Sequence, residues 1–225
     1  MEAPAFLHMI MPGIPVYVSY SWLAMIILIG TALALRNKLT MVPSGLQNLM
    51  ETVADFFMDI SVSNIGHHWG EKFYPLLGTI GLYILICNFF GLIPGFESPT
   101  ANINMTASMA VPVFFIYQYY GMKVHGFKYI NHFLGPIRNI YALPLMIMML
   151  LIEVIGHFVR PITLSVRLFG NMIAKHMILL ILAILAPAIV PTAILGLGVL
   201  VCIIQAYVFV LLTCLYIAGA VEEGH

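Results

Sequence analysis

Leu164-Ser165-Val166-Arg167-Leu168-Phe169-Gly170-Asn171-Met172 lies inside an apolar run that extends from about Tyr141 to about Pro187. That run must be buried in lipid or in protein, yet it carries a guanidinium well inside it. A charge at the centre of a membrane helix costs about 2.5–3.5 kcal/mol on insertion scales. Arg167 is too far from either end of the run to snorkel to an interface. A residue of this kind faces the bundle interior or a wet cavity, and is a functional-site candidate.

The rest of the chain has the same character. Of 225 residues, 62% are hydrophobic and 8% charged, against roughly 25% charged in a soluble domain. The expected fold is an all-α polytopic membrane protein forming a single membrane domain over 1–225. It has about five crossing helices, the last two a long tilted hairpin, plus one amphipathic surface helix. Nine basic residues balance nine acidic ones, which removes the polybasic basis for nucleic-acid binding. Cys87, Cys202 and Cys214 lie in apolar runs and read as small buried hydrophobes. The 15 Met are scattered fillers, and no metal or cofactor is expected.

Residues 1–17, with Pro4, Pro12 and Pro15, read as an external N-terminal arm. No Lys or Arg precedes the first apolar stretch, so a cleaved leader is not expected. The first span, about Val18–Leu35, stops at Arg36-Asn37-Lys38, which places the N-terminus outside. Over 44–64, Leu46, Leu49, Met50, Val53, Phe56, Phe57 and Ile60 follow helical spacing. Gln47, Glu51, Asp55 and Asp59 sit between them, and Ser44 is placed to cap the helix. This amphipathic helix either lies on the cytoplasmic surface or docks on the other spans. Residues 74–121 read as a helical hairpin: a span Tyr74–Ile93 containing Asn88, a tight polar turn Pro94–Pro99 on the outside, and a span over 103–121 carrying Pro112. Residues 122–140 carry Lys123, Lys128 and Arg138 and no acid, a cytoplasmic signature.

Residues 141–218 form the hairpin around Arg167. A continuous helix over Tyr141–Ala186 would be roughly 65–70 Å long, against a hydrocarbon core of ~30 Å. It is either two short spans broken at Arg160-Pro161 or one strongly tilted helix, since Pro161 alone only kinks a helix. We favour the single tilted helix. With a turn over Pro187–Pro191 and a last span Thr192–Ala218, it gives five crossings and a cytoplasmic Glu222-Glu223 tail.

Glu153, Arg160 and Arg167 are spaced seven and seven and share a face, drifting roughly 20° per step. Asn171 follows on nearly the same face, and His176 points to the opposite side. His157 is one turn from Glu153 and close to Arg160. On the last helix Gly198, Gln205 and Tyr216 share a face within roughly 20°. Folding the hairpin at about Ala188 brings Gln205 to a depth similar to that of Arg167, where it can face or flank it, and Tyr216 near the depth of Glu153. This pattern fits ion passage through two wet half-paths. Glu153 would line the inner one; His176, with Asn102, Asn104 and Asn88, the outer one. Arg167 between them is a fixed charge that blocks leak. No acid in this chain lies at its depth, so its partner carboxylate is expected on another subunit. Plainer readings of the same residues stand beside this one: a structural Glu153–Arg160 pair, a core His176, and Gln205 as helix–helix glue.

A haem-b quinol-oxidising subunit would need His residues paired across helices, whereas His157 and His176 share one. A secondary transporter would show internal repeats with broken helices, and the sequence has no internal repeat.

Over nearly its whole length the sequence resembles subunit a of the F-type ATP synthases. The likeness rests on Leu164-Ser165-Val166-Arg167-Leu168-Phe169-Gly170-Asn171-Met172 and on Gln205-Ala206-Tyr207-Val208-Phe209 with Leu211, Thr213 and Tyr216. Pro99-Thr100-Ala101-Asn102-Ile103-Asn104 and Glu222-Glu223-Gly224-His225 add to it. The combination is specific although no single piece is. The resemblance implies a stator element beside a rotating c-ring in the cell inner membrane, coupling ion (proton) translocation to ATP synthesis. The c-ring, b-type peripheral-stalk subunits and the remainder of the ATP synthase are the implied partners. Arg167 then matches the essential arginine facing the ring carboxylates, Asn171 and Gln205 the functional asparagine and glutamine, and Glu153 the inner half-channel acid. The outer half-channel acid position holds His176 here. In some relatives that change accompanies an acid on the last helix; the facing position here is Gly198, which carries nothing. His176 with water and the loop asparagines is thus the expected outer relay. The choice between H⁺ and Na⁺ lies mainly in the c subunit.

Overall fold

The computed structural model describes residues 13–36, 40, 45–93, 95–126, 143–185 and 189–221, and within the last two stretches the side chains of 146–182 and 194–221. Six α-helices and one 3₁₀ turn stand among the described residues: α1 (Val16–Arg36), α2 (Leu46–Ile65), α3 (His67–Phe90), the 3₁₀ turn Pro99–Ala101, α4 (Ile103–His125), α5 (Leu143–Leu185) and α6 (Ile189–Val221). α1, α3, α5 and α6 contain stretches long and apolar enough to cross a membrane. α4, with 23 residues, is about 34 Å long but more polar. It packs on both α5 and α6, which buries Thr106, Met109 and Tyr117. The protein is an all-α polytopic membrane protein, as its composition predicts. Ser44, Lys128, Arg138, most of the N-terminal arm and the Glu222-Glu223 tail lie outside the described residues.

α5 runs unbroken for 43 residues through Pro161, so it is one helix and not two short spans. At about 64 Å it is twice the ~30 Å hydrocarbon core, and it can lie in a bilayer only when strongly tilted. α6 begins at Ile189, so the expected Pro187–Pro191 turn is shorter than the prolines suggest. Pro191 falls in the first turn of α6, where its missing N–H would have no helical partner anyway.

α2 docks on α3 and α6. Phe57, Ile60 and Ser61 are buried, while Glu51, Asp55 and Asp59 face outward. Gly81 of α3 makes the seat: a methyl group there would come within 2.6 Å of Phe57 Cε1 and 2.8 Å of Val210 Cγ2. Small residues at helix contacts let neighbours approach in this way. A single residue, Gly66 at φ 91°, separates α2 from α3, so α3 starts at His67, earlier than the expected Tyr74.

The end of the hairpin turn is folded into the bundle, although Glu97 beside it is exposed. Ser98, Pro99 and Thr100 are buried. Ser98 Oγ donates to the Cys87 carbonyl (2.8 Å), and Thr100 Oγ1 donates to Asn88 Oδ1 (2.7 Å). Tyr20 and Ala24 of α1 pack on Cys87 and Phe90 of α3. At the opposite end of the bundle Phe57, Phe73, Tyr117, Cys214 and Ile217 form a second cluster. The start of α1 and the 91–102 turn therefore share one end. Arg36, the start of α3 and the ends of α4 and α6 share the other.

Candidate ion-path site

The buried line of α5 is His157, Leu164, Ser165, Leu168, Met172 and Lys175. His157 and Lys175 stand eighteen residues apart, which is five helical turns and so the same direction. Arg167 is eight residues before Lys175, about 80° around the helix. It consequently lies off the buried line and is exposed. The sequence reading allows the bundle interior or a wet cavity, with a partner carboxylate on another subunit; the structure puts Arg167 on the lateral surface of the hairpin, open to such a partner.

Three contacts tie α5 to α6 in an antiparallel ladder. Arg160 lies over the Tyr216 ring (5.2 Å to its centroid) and near the Tyr117 ring (6.0 Å). Asn171 Nδ2 donates to Gln205 Oε1 (2.5 Å). Lys175 Nζ reaches Cys202 Sγ (3.7 Å), and its chain passes Gly198. Gly198, Gln205 and Tyr216 thus do share the face turned to α5. Gln205, 3% exposed, is bonded to Asn171, one turn beyond Arg167, so of the two arrangements the sequence allows it flanks the arginine.

At the Arg36 end, Glu153 is not paired with Arg160. Its Oε1 lies 3.4 Å from His157 Nε2, and its side chain keeps 38% of its surface exposed. His157 is 6% exposed, with Nδ1 3.4 Å from Tyr117 Oη. Tyr117 Oη also donates to the His157 carbonyl (3.3 Å). His157 therefore joins the Glu153 cluster, where the sequence alone left its role open.

At the turn end, His176 lies against α3: a methyl at Gly91 would sit 3.1 Å from His176 Nε2 and 3.3 Å from Lys175 Nζ. Asn88 is fully buried, accepting from Thr100 at Oδ1 and from Cys202 Sγ at its carbonyl (3.3 Å). Asn88 Nδ2 is buried without a hydrogen-bond partner among the described residues. Asn102 caps α4, its Oδ1 accepting from the Asn104 amide (2.9 Å), and Asn104 is exposed. Ser98 Cβ, which a Gly91 methyl would also meet (2.8 Å), shares that seat with His176 and Lys175.

Lys175 was missed by the seven-residue spacing, which follows Glu153, Arg160 and Arg167. The spacing that finds it is four: Arg167, Asn171 and Lys175 advance by about 40° per step and wind from the lateral surface into the α5–α6 seam. Gly198 does not face an empty position either; it faces the Lys175 side chain.

A family model described as ATP synthase A chain matches residues 18–218. The chain is 49% identical to ATP synthase subunit a of Geotalea uraniireducens (strain Rf4) over 208 residues, covering 92% of this chain and 88% of the relative. It is 46% identical to ATP synthase subunit a of Trichlorobacter lovleyi over 208 residues, with the same coverage. Against ATP synthase subunit a 1 of Syntrophotalea carbinolica it is 43% identical over 213 residues, covering 95% of this chain and 88% of the relative. With the match running from the first span to the last, the chain belongs to the ATP synthase A chain family.

Proposed function

We propose that this chain is the ion-translocating stator element of an ATP synthase, carrying protons past a rotating c-ring through two offset half-paths. The observation that carries the proposal is Arg167: a guanidinium on the exposed lateral face of α5, inside a helix apolar enough to cross a membrane, with no acid partner among the described residues. A charge on an apolar face needs an opposite charge from outside the chain. A c-ring carboxylate supplies it, and an opposite charge within ~4–6 Å favours the ionised carboxylate. The guanidinium is a fixed charge, so it draws off the ring's proton without carrying one. Glu153 lines the path at the Arg36 end, and Lys175 with His176 lines the path at the turn end.

Arg36 and Lys123 stand at the same end of the bundle, which supports a cytoplasmic Arg36 end and an external N-terminus in the cell inner membrane. b-type stalk subunits complete the stator. The haem-binding and transporter readings have no support beside the family match.

The test uses the assembled complex in vesicles. ATP synthesis driven by an imposed proton gradient is expected without sodium. A Glu153→Cys variant is expected to react with a hydrophilic thiosulfonate from the cytoplasmic side. An unreactive cysteine, or synthesis that requires sodium, overturns the reading.

A further inference from the structure

His157 is a buried titratable group for which the two half-paths above have no task. Its surroundings are built. Pro161 has no N–H, and in α5 that N–H would have bonded the carbonyl four residues back, which is that of His157. The carbonyl is left open, and Tyr117 from α4 donates its hydroxyl proton to it (3.3 Å). A hydroxyl has one proton to give. With that proton on the carbonyl, the contact between Tyr117 Oη and His157 Nδ1 (3.4 Å) is a hydrogen bond only when Nδ1 supplies its own. Tyr117 therefore fixes a proton on Nδ1. The other nitrogen, Nε2, is the one that gains and loses a proton, and it faces Glu153 Oε1 across 3.4 Å.

We propose that His157 is the proton-exchange partner of Glu153, with Tyr117 as the positioning residue that pins its other nitrogen through the carbonyl Pro161 leaves open. The proposal rests on the inner path through Glu153 argued above. In one direction the Nε2–H bond of the imidazolium breaks, its electron pair stays on nitrogen, and an O–H bond forms on the Glu153 carboxylate. In the other, the protonated carboxyl returns the proton to the Nε2 lone pair. Neither step moves Tyr117, because Nδ1–H and the hydroxyl keep their partners throughout. The charged and titratable groups around the ring are Glu153 and Arg160 on α5, Tyr117 on α4 and Tyr216 on α6. Arg160 lies 6.0 Å from the Tyr117 ring and 5.2 Å from the Tyr216 ring, and the two rings are 6.2 Å apart. Arg160 thus lies over the tyrosine rings, and the Glu153 carboxylate lies against the imidazole.

The test is ATP-driven proton uptake by the reconstituted complex as a function of pH on the ATP side. His157→Gln keeps polarity and size but cannot exchange a proton. It is expected to slow uptake by about tenfold or more, the low end of what a positioned proton-transfer group contributes. The alkaline limb of its profile is expected to move toward acid, because imidazole exchanges protons nearer neutrality than a carboxyl. Tyr117→Phe keeps the ring packing and removes the pin, and is expected to shift the limb in the same direction by less. It decides the matter where His157→Gln does not assemble. A parental profile in either assembled variant, with Glu153→Cys still labelled, overturns the role of His157. An unlabelled Glu153→Cys overturns the inner path itself.

Discussion

Lys175 fills the notch that Gly198 leaves on α6. A methyl at position 198 would come within 2.7 Å of Leu92 Cδ2 and 3.5 Å of Lys175 Cδ, so the lysine stem packs where a side chain on α6 would otherwise stand. Its ammonium ends beside Cys202 and above Gly91, with no carboxylate partner among the described residues. Burial of a charge without a counter-charge still costs several kcal/mol after relaxation.

Lys175→Met keeps the stem and removes the charge. It is expected to raise the thermal stability of the purified membrane sector, by about 1 kcal/mol or more, and to lower ion flow. Heating curves and ATP synthesis on the same preparation check both. A variant that gains stability and keeps full flow shows that the lysine takes no part in the path.

Arg167→Ala is expected to abolish gradient-driven ATP synthesis while the complex still assembles, because the exposed side chain makes no contact on which this chain's packing depends. Arg167→Lys keeps the charge but loses the planar fork, and is expected to be severely impaired as well. Synthesis near the parental rate in the alanine variant, measured in vesicles under an imposed gradient, would refute the role given to this residue.

The Asn171–Gln205 bond should be measurable as a coupling. Polar contacts between membrane helices average about 0.6 kcal/mol and reach about 1.7. Asn171→Leu, Gln205→Leu and the double variant are expected to give a value in that range for the stability of the α5–α6 hairpin. Additive effects would mean that the two amides bond other partners in the assembled complex.

Orientation is open to thiol labelling, and the structure chooses the positions. Ser98 is buried and donates to the Cys87 carbonyl, so a cysteine there is shielded. Glu97 is exposed next to it, and Lys123 is exposed in the last turn of α4. Glu97→Cys is expected to react from outside and Lys123→Cys from the cytoplasm. The reverse pattern overturns the topology.

The α5–α6 hairpin was legible because its information is local. Apolar length gave one helix through Pro161, and helical phase put Gly198, Gln205 and Tyr216 on one face. The bonding of His157 was not, since Tyr117 lies forty residues away in the chain and reaches it only by tertiary packing. Ser98 was legible only as part of a polar turn, and Thr100 only as part of the Pro99–Asn104 likeness. Here they satisfy the backbone of Cys87 and the side chain of Asn88, which chain order does not reveal. Arg167 was legible as a charge whose partner lies on another subunit, but which side of α5 carries it depends on how α4 and α6 pack, and that is tertiary.

The uninterrupted course of α5 also constrains how this chain can change. Glu153, Arg160, Arg167, Asn171 and Lys175 are all carried on one rod, with no loop to absorb an altered count of residues. Inserting or deleting one residue between Glu153 and Asn171 turns everything beyond it by about 100° and shifts the Asn171–Gln205 and Lys175–Gly198 contacts together relative to Glu153. Away from Arg167, a substitution on the outer face of α5 disturbs one position, whereas a change in its length disturbs every contact beyond it.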